Sequence, residues 1–311
     1  MLRKGLLWLS QRNGMFRFVR SNSLARRFAS RFVAGETIDE AVAAAGERAA
    51  RGITASLDLL GESVTRPDEA EAARDEYVRM LDRMAAAGGI EVNVSVKLTQ
   101  MGLDIDEELC HRNMTAILER ARIHRGFVRL DMEGSAYTQR TLDFFATRLF
   151  ADFGAYCGVV IQSSLRRSAE DIANLIGMGA RVRLCKGAYL ESPDVAFPDK
   201  KDVDRNYVAL MQRLLTEGNY PGLATHDEKI IAEARAFVAS HGIASDRFEF
   251  QMLYGVRRDL QQQLRDAGHR LRVYIPFGTQ WYPYLMRRLA ERPANIAFML
   301  GNIVKESVSR R

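Results

Sequence analysis

Eight short runs rich in β-branched and aliphatic residues, each followed by a stretch of helical composition, constrain this chain more than any other feature. The runs are "ITASLDLLG" from Ile53, "EVNVSVKL" from Glu91, "FVRLDME" from Phe127, "GVVIQSS" from Gly158, "RVRLCKGA" from Arg181, "GLATHD" from Gly222, "FEFQML" from Phe248 and "LRVYIPFG" from Leu271. Between them lie segments such as "PDEAEAARDEYVRMLDRMAAAGG" and "SAEDIANLIGMG", which open with Pro or Ser and close with Gly as helix termini prefer. Strand and helix in strict alternation specify a parallel sheet, and eight strands close into a barrel. The expected fold is therefore α/β, a (β/α)8 TIM-type barrel with extra N-terminal helices and a C-terminal helix. An open doubly wound sheet competes, but "DLLGES" after the first run lacks the G-x-G-x-x-G phosphate loop.

A chain of 311 residues suits one such barrel as a single domain. The expected divisions are a basic helical arm over 1–45, the barrel over 46–292, and a helix over 293–311 that packs on it. The net charge of +6 is unevenly placed: no acidic residue precedes Glu36, while Arg3, Lys4, Arg12, Arg17, Arg20, Arg26, Arg27 and Arg31 do. Such an arm suits a helix packed on the body, an anionic membrane surface, nucleic acid or a presequence. Nucleic acid is the poorest fit, because no aromatic platform is interleaved with the charge. Cys110, Cys157 and Cys185 are an odd number without metal-ligand spacing, which points to a reducing compartment. "GLLWLS" is too short for a signal-peptide core, and no run is long enough to span a bilayer.

Barrels of this class place chemistry at the C-terminal ends of their strands. Those ends carry Asp58 and Glu62, Lys97, Asp131 and Glu133, Gln162, Arg183 and Lys186, Thr225 and His226, Gln251, and Tyr274. After the eighth run, "YPYLMRRLAERPAN" puts Tyr284, Arg287, Arg288 and Glu291 on one helical face at i, i+3, i+4 and i+7. Facing water, that stripe is an ordinary solvated face; facing the barrel mouth, its two guanidiniums form a receptor for a carboxylate or phosphate. So many polar strand ends favour the mouth. No metal-ligand spacing and no Ser or Cys nucleophile with an adjacent base is present. Lys97 as a Schiff-base lysine, in an aldolase-type barrel, is the alternative enzyme. It requires a desolvated neutral amine, which a neighbouring Asp131 opposes. The cations of the fifth run suit a cofactor that develops negative charge, such as a reduced flavin.

The stretches "VSVKLTQ", "RLDMEG", "RLCKGAYLESPDVAFPDK", "FEFQMLYGVR" and "YIPFGTQWYPYLMRRLAERPAN" resemble flavin-dependent proline dehydrogenases, and the likeness runs from about Arg26 to the C-terminus. The resemblance implies FAD as cofactor, L-proline as substrate and 1-pyrroline-5-carboxylate as product. It implies that Arg287, Arg288 and Lys97 bind the substrate carboxylate, with Asp131 fixing Lys97. Tyr274 and Leu253 would wall the ring, and Tyr284 would limit the pocket where a ring hydroxyl would sit. Arg183 would face the reactive flavin nitrogen. Gln162, Cys185, Lys186, Gly187, Ala188, Thr225, His226 and Glu291 would complete the FAD site. Two positions depart from relatives: Leu190 stands where some carry Trp, and Cys185 where Val is common. Glu62 matches an acidic residue expected to pair with Arg287 as a gate. The family further implies electron transfer to a membrane quinone and supply of product to pyrroline-5-carboxylate dehydrogenase. The expected setting is the cytoplasm and the inner face of the cell membrane.

Overall fold

The structure is a computed structural model and describes residues 29–291, with side chains described as far as Met286. All eight expected runs become strands, in chain order β1 (Thr54–Leu59), β2 (Asn93–Val96), β3 (Phe127–Leu130), β4 (Cys157–Gln162), β5 (Arg181–Cys185), β6 (Gly222–Ala224), β7 (Glu249–Leu253) and β8 (Leu271–Phe277). Neighbours pair in parallel, and β8 returns to β1 from Thr54↔Arg272 to Leu59↔Phe277, which closes the barrel. Most strands are shorter than their sequence runs because the last residues leave the ladder to form the rim: Lys97 follows β2 and Asp131 follows β3.

Alternation along each strand sorts the side chains. Leu57, Val94, Val96, Val128, Leu130, Val159, Ile161, Val182, Leu184, Leu223, Phe250, Met252, Val273 and Ile275 point outward and are buried in the main core beneath the helices. The other parity points inward and is linked by the register through Asp58↔Ser95, Ser95↔Arg129, Arg183↔Gly222, Gly222↔Glu249 and Gln251↔Arg272. Barrels of this class commonly fill their interior with branched aliphatic residues. Here the interior holds charges, amides and hydroxyls.

Several helices start where the sequence supplies a capping side chain or a proline. Thr37 and Glu40 form a capping box for α1 (Ile38–Ala49), which buries Ala41, Val42, Ala44 and Ala45 and packs against β1 and β8. This helix runs across residue 45, the expected end of the arm. Pro67 begins α2 (Pro67–Ala87), and Asp106 caps α3 (Glu107–Ile123) at 2.6 Å from Leu109 N. Next, α4 (Ser135–Phe144) passes through one π turn, Phe145–Leu149, into α5 (Phe150–Phe153). The series continues with α6 (Ser168–Gly177), α7 (Lys200–Glu217), α8 (Glu228–Ser240), α9 (Arg258–Asp266) and α10 (Trp281–Glu291).

A second, smaller core covers the mouth. Ala29, Phe32 and Val33 pack with Leu60 and with Trp281, Tyr282, Tyr284, Leu285 and Met286 at the start of α10. Each large apolar side chain buried this way contributes about 1.5–3 kcal/mol. Hydrogen bonds from Ala34 N to Pro276 O (2.9 Å), from Gly278 N to Gly35 O (3.0 Å) and from Trp281 Nε1 to Glu36 Oε1 (3.0 Å) fasten the same segment. The chain before α1 therefore holds α10 over the ends of β8 and β1. The basic residues before position 29 and the helix expected over 293–311 lie outside the described residues. Among the described residues, no helix is long and apolar enough to cross a membrane. All three cysteines are free, and burial pushes the Cys157 thiol up to about 12.

Candidate active site

Lys97 and Asp58 are inward neighbours at the tops of β2 and β1, and the Lys97 ammonium donates to Asp58 Oδ1 at 3.2 Å. The aspartate side chain is 1% exposed and the lysine 11%, so the carboxylate lies beneath the cation and the cation faces the mouth. Burial works against the lysine's charge, but Asp58, Asp131 and Glu62 outweigh it and raise its pKa. Burial pushes the Asp58 carboxyl upward more than the ammonium draws it down. Asp58 makes the direct contact with Lys97, while Asp131, expected to fix it, acts on it electrostatically.

Asp131 is engaged elsewhere. Its Oδ1 accepts from Arg183 Nη1 at 2.8 Å and its Oδ2 from the Tyr274 hydroxyl at 2.7 Å. Arg183 spans the barrel interior from β5 to reach it, and the guanidinium lies 5.3 Å from the centre of the Tyr274 ring. The Arg183 side chain is 7% exposed and that of Asp131 14%. Removing one partner of such a buried pair costs about 3–5 kcal/mol, since it strands the other charge. Nη1 also reaches Ser95 Oγ at 3.2 Å, and Nε donates to Gln251 Oε1. Among the described residues, Nη2 has no hydrogen-bond partner, which leaves one donor of a fixed guanidinium for a ligand. Burial and the two aspartates raise the Tyr274 phenol well above its ordinary value, so it stays a donor.

The far side of the mouth is built from the ends of β4, β5, β6 and β7. Gln162 donates from Nε2 to Glu133 O at 2.8 Å, which turns its Oε1 toward Gly187. At Gly187 the backbone has φ +102°, and a Cβ there would meet Ser164 Oγ at 2.4 Å and Gln162 Oε1 at 3.0 Å. Only glycine suits that conformation and that closeness. Ala188 and half-buried Cys185 flank it. Lys186 is held between Asp227 (2.8 Å) and Asp204 (2.5 Å). Thr225 is buried and accepts from Asp227 N at 3.1 Å. His226 Nε2 accepts the Leu253 N–H at 2.9 Å, so the ring is neutral with its proton on Nδ1. That bond also fixes the backbone of Leu253, one of the two expected ring-walling residues. After β5 the chain folds back so that Glu191 receives Ser135 N at 2.8 Å at the start of α4, and Tyr189 and Leu190 are exposed on that loop.

Above the mouth, Tyr284 is buried in the smaller core, and α10 continues as helix through 287, 288 and 291. The side chains of Arg287, Arg288 and Glu291 lie outside the described residues, and with them the expected Glu62 to Arg287 pair. Glu62 follows β1 and acts electrostatically on both Lys97 and Glu133, which sets it at the same mouth. Glu133 is buried and accepts from Thr99 Oγ1 at 2.7 Å; burial raises its pKa. Sequence reasoning noted Asp58 and Glu133 as strand-end groups but gave neither a role. The signal for Asp58 was its parity, which matches that of Lys97 across β1 and β2. The arrangement offers two cations, a phenol whose hydrogen is committed to Asp131 and a closely packed glycine turn, suited to an anionic substrate beside a planar polar cofactor.

The profile of the family described as proline dehydrogenase matches residues 41–300. The chain is 43% identical to a proline dehydrogenase of Deinococcus radiodurans, over 97% of this chain and 98% of that protein. It is 41% identical to proline dehydrogenase 1 of Bacillus subtilis, over 98% and 100%. A crystal structure of proline utilization A from Bdellovibrio bacteriovorus, inactivated by N-propargylglycine, superposes with a TM-score of 0.80 at 26% identity. That match covers 90% of this chain and 34% of the larger one.

Proposed function

This chain belongs to the proline dehydrogenase family and is an oxidoreductase of proline catabolism, and from that premise we propose that it oxidises L-proline with FAD as hydride acceptor. The observation that carries the reading is Arg183, anchored on Nε and Nη1 and with Nη2 unengaged by any described residue, on the axis of the barrel beside Tyr274. Support for a flavin comes from the donor set. Arg183 and the fixed Gln162 amide suit a ring that carries both N–H and carbonyl groups, and Gly187 lets the chain pass close to Ser164 and Gln162 at that edge of the mouth. Thr225, His226 through Nδ1, Lys186, Cys185, Ala188 and Glu291 would complete the FAD site. When bound, FAD would supply a two-electron acceptor for the hydride lost from the carbon next to the proline nitrogen.

The chain's own residues do the rest. Lys97, kept charged by Asp58, binds the substrate carboxylate together with Arg287 and Arg288, so one end of a small rigid ring is fixed. Tyr274 and Leu253 wall the ring, and Tyr284 limits it. The positive charge of Arg183, held by Asp131, stabilises negative charge that builds up beside it. With the amine entering neutral, its lone pair forms the C=N bond as hydride leaves. The N–H proton then passes to solvent and gives 1-pyrroline-5-carboxylate, so no further base is required. The aldolase reading lacks a neutral amine, because the ion pair with Asp58 keeps Lys97 protonated.

The electrons go on to a membrane quinone, and pyrroline-5-carboxylate dehydrogenase is the partner that consumes the product. The acid-free arm before Glu36 suits transient docking on an anionic bilayer. Deletion of residues before Arg26 should weaken liposome binding. The deciding experiment is a visible spectrum of the purified protein followed by anaerobic L-proline. Bleaching of an oxidised flavin band is the expected result, and a flavin that stays oxidised would remove the substrate assignment.

A further inference from the structure

Below the rim, the barrel interior continues as an ordered series of polar groups. Glu91, near the N-terminal end, accepts from Arg272 Nη2 at 2.8 Å. Arg272 also grips Glu249, Nε to Oε1 at 2.7 Å and Nη2 to Oε2 at 3.0 Å. Glu249 Oε1 receives Gln251 Nε2 at 2.5 Å, and Gln251 Oε1 receives Arg183 Nε. Charge alternates along this hydrogen-bonded series, from Arg272 to Glu249, through the Gln251 amide, to Arg183 and Asp131, while Arg129 adds a further buried cation near Glu249 and Arg183. The first four are nearly inaccessible, Arg272 at 4% exposed, Glu249 and Gln251 at 3% each and Arg183 at 5%, and Asp131 reaches the rim.

Such a series is costly to bury, and well-packed apolar residues usually serve a core as well or better. Its members lie on the parity that points into the barrel, and it ends on the residue proposed to stabilise charge at the mouth. We propose that Glu249 and Gln251 are positioning residues for Arg183, and that they set the direction in which its guanidinium faces the flavin. This rests on the reading of Arg183 as the flavin-facing cation.

The physical basis is the orientation of one amide. Gln251 has a donor end and an acceptor end, and its two neighbours accept only one arrangement. Arg183 Nε can only donate, so it requires Oε1. Ionised Glu249 can only accept, so it requires the NH2 group. Burial pushes the Glu249 carboxyl upward, but the Arg272 guanidinium and its hydrogen bonds outweigh this and hold it below its usual range. Arg272 thus keeps Glu249 ionised, Glu249 keeps the amide from turning over, and the amide holds the lower edge of Arg183. Space for the amide exists because the facing inward residue on β6 is glycine: a Cβ on Gly222 would lie 2.4 Å from Gln251 Nε2. A neutral Glu249 would let the amide invert and set two donors against each other at Nε, leaving Arg183 free to swing about its Asp131 contact.

The test uses Glu249→Gln, Gln251→Leu and the double variant in the full-length flavoprotein. Four quantities are read: the midpoint potential of bound flavin, kcat and KM for L-proline, and the melting temperature. Misdirecting Arg183 should move the potential to more negative values in both single variants and lower kcat by about tenfold or more, the scale expected when a supporting partner is removed. KM for L-proline should stay near wild type, since the carboxylate is held by other residues. The double variant should be no worse than Gln251→Leu alone, because Glu249 acts through Gln251. Gln251→Leu leaves the Arg272 to Glu249 pair intact and carries the test if Glu249→Gln does not fold. An unchanged potential in folded variants, or effects that simply add, would overturn the proposal even where melting temperatures fall. A wild-type protein that binds no flavin would remove this inference together with the reading beneath it, whereas a wild type bleached by proline beside unshifted variants would remove the inference alone.

Discussion

On β1, Leu57 points outward into a layer of aliphatic side chains, whereas Asp58, one residue further, points inward and receives the Lys97 ammonium. The same contrast repeats on β5, where Val182 and Leu184 face the helices and Arg183 reaches across the interior to Asp131. One set of strands thus presents two surfaces with different physics. The outward surface is held by burial, which is non-directional and tolerates exchange among similar shapes. The inward surface is held by directed bonds between groups that cannot be left unpaired, so each residue depends on the identity of the next. Stability is written mainly on the first and chemistry mainly on the second.

The sharpest way to strain that contrast is to remove the central inward charge. Arg183→Met should lower kcat by about 100- to 1000-fold, the range seen when a donor aimed at developing charge is lost. It should also destabilise the protein by about 3–5 kcal/mol, because Asp131 is left buried with one partner. Anaerobic flavin bleaching and urea unfolding measure the two effects. On the outward surface, Leu57→Ala should cost about 2–5 kcal/mol of stability while folded, flavin-loaded protein keeps nearly its full kcat. A collapse of kcat from that truncation would show that the two surfaces are not separable.

The same division explains what could be read from the sequence. The outward parity left eight recognisable aliphatic runs, and every one became a strand. The strand-end positions of Lys97, Asp131, Arg183 and Tyr274 were legible too, because barrel geometry sends those ends to one rim. The pairing was not. Lys97 stands between Asp58 on β1 and Asp131 just after β3, and sequence order does not say which it takes. Arg183 and Tyr274 decide it by occupying both oxygens of Asp131 from strands distant in sequence. The link from Arg272 to Arg183 was hidden for the same reason, since its order runs across the barrel instead of along the chain.

Asp58→Asn probes that unforeseen pairing with a smaller effect. Lys97 keeps Asp131 nearby but loses its direct partner, so KM for L-proline should rise by about tenfold, as for other supporting contacts. The pH dependence fixes the sign. A lysine whose folded pKa is raised keeps its charge, and the stability that charge contributes, fully below the ordinary lysine value of about 10.4, and loses both as pH rises through the folded value. Replacing Asp58 lowers that folded value. The alkaline limb of kcat/KM should therefore move to lower pH, and a limb that stays in place would mean that Asp131 alone suffices.

The smallest expected effect lies at the rim, where the inward surface meets solvent. Glu62 is half-buried and adds to the carboxylates that keep Lys97 charged, so it acts on that cation from the edge of the mouth. A gate between Glu62 and Arg287 would close over proline by an ion pair at the edge of water. Exposed pairs contribute about 0.2–1 kcal/mol, which corresponds to a change of about one and a half to fivefold. Glu62→Ala should accordingly raise KM for L-proline within that range, leave the rate of flavin reduction at saturating proline unchanged, and lose its effect in an Arg287→Ala background. High salt should mimic the substitution, because a rim pair is screened while the Arg183 to Asp131 pair is sheltered. If Glu62→Ala leaves KM unchanged, the gate is absent; if it lowers the saturating rate instead, Glu62 belongs with the inward residues and the border between the two surfaces lies further out than the strand ends.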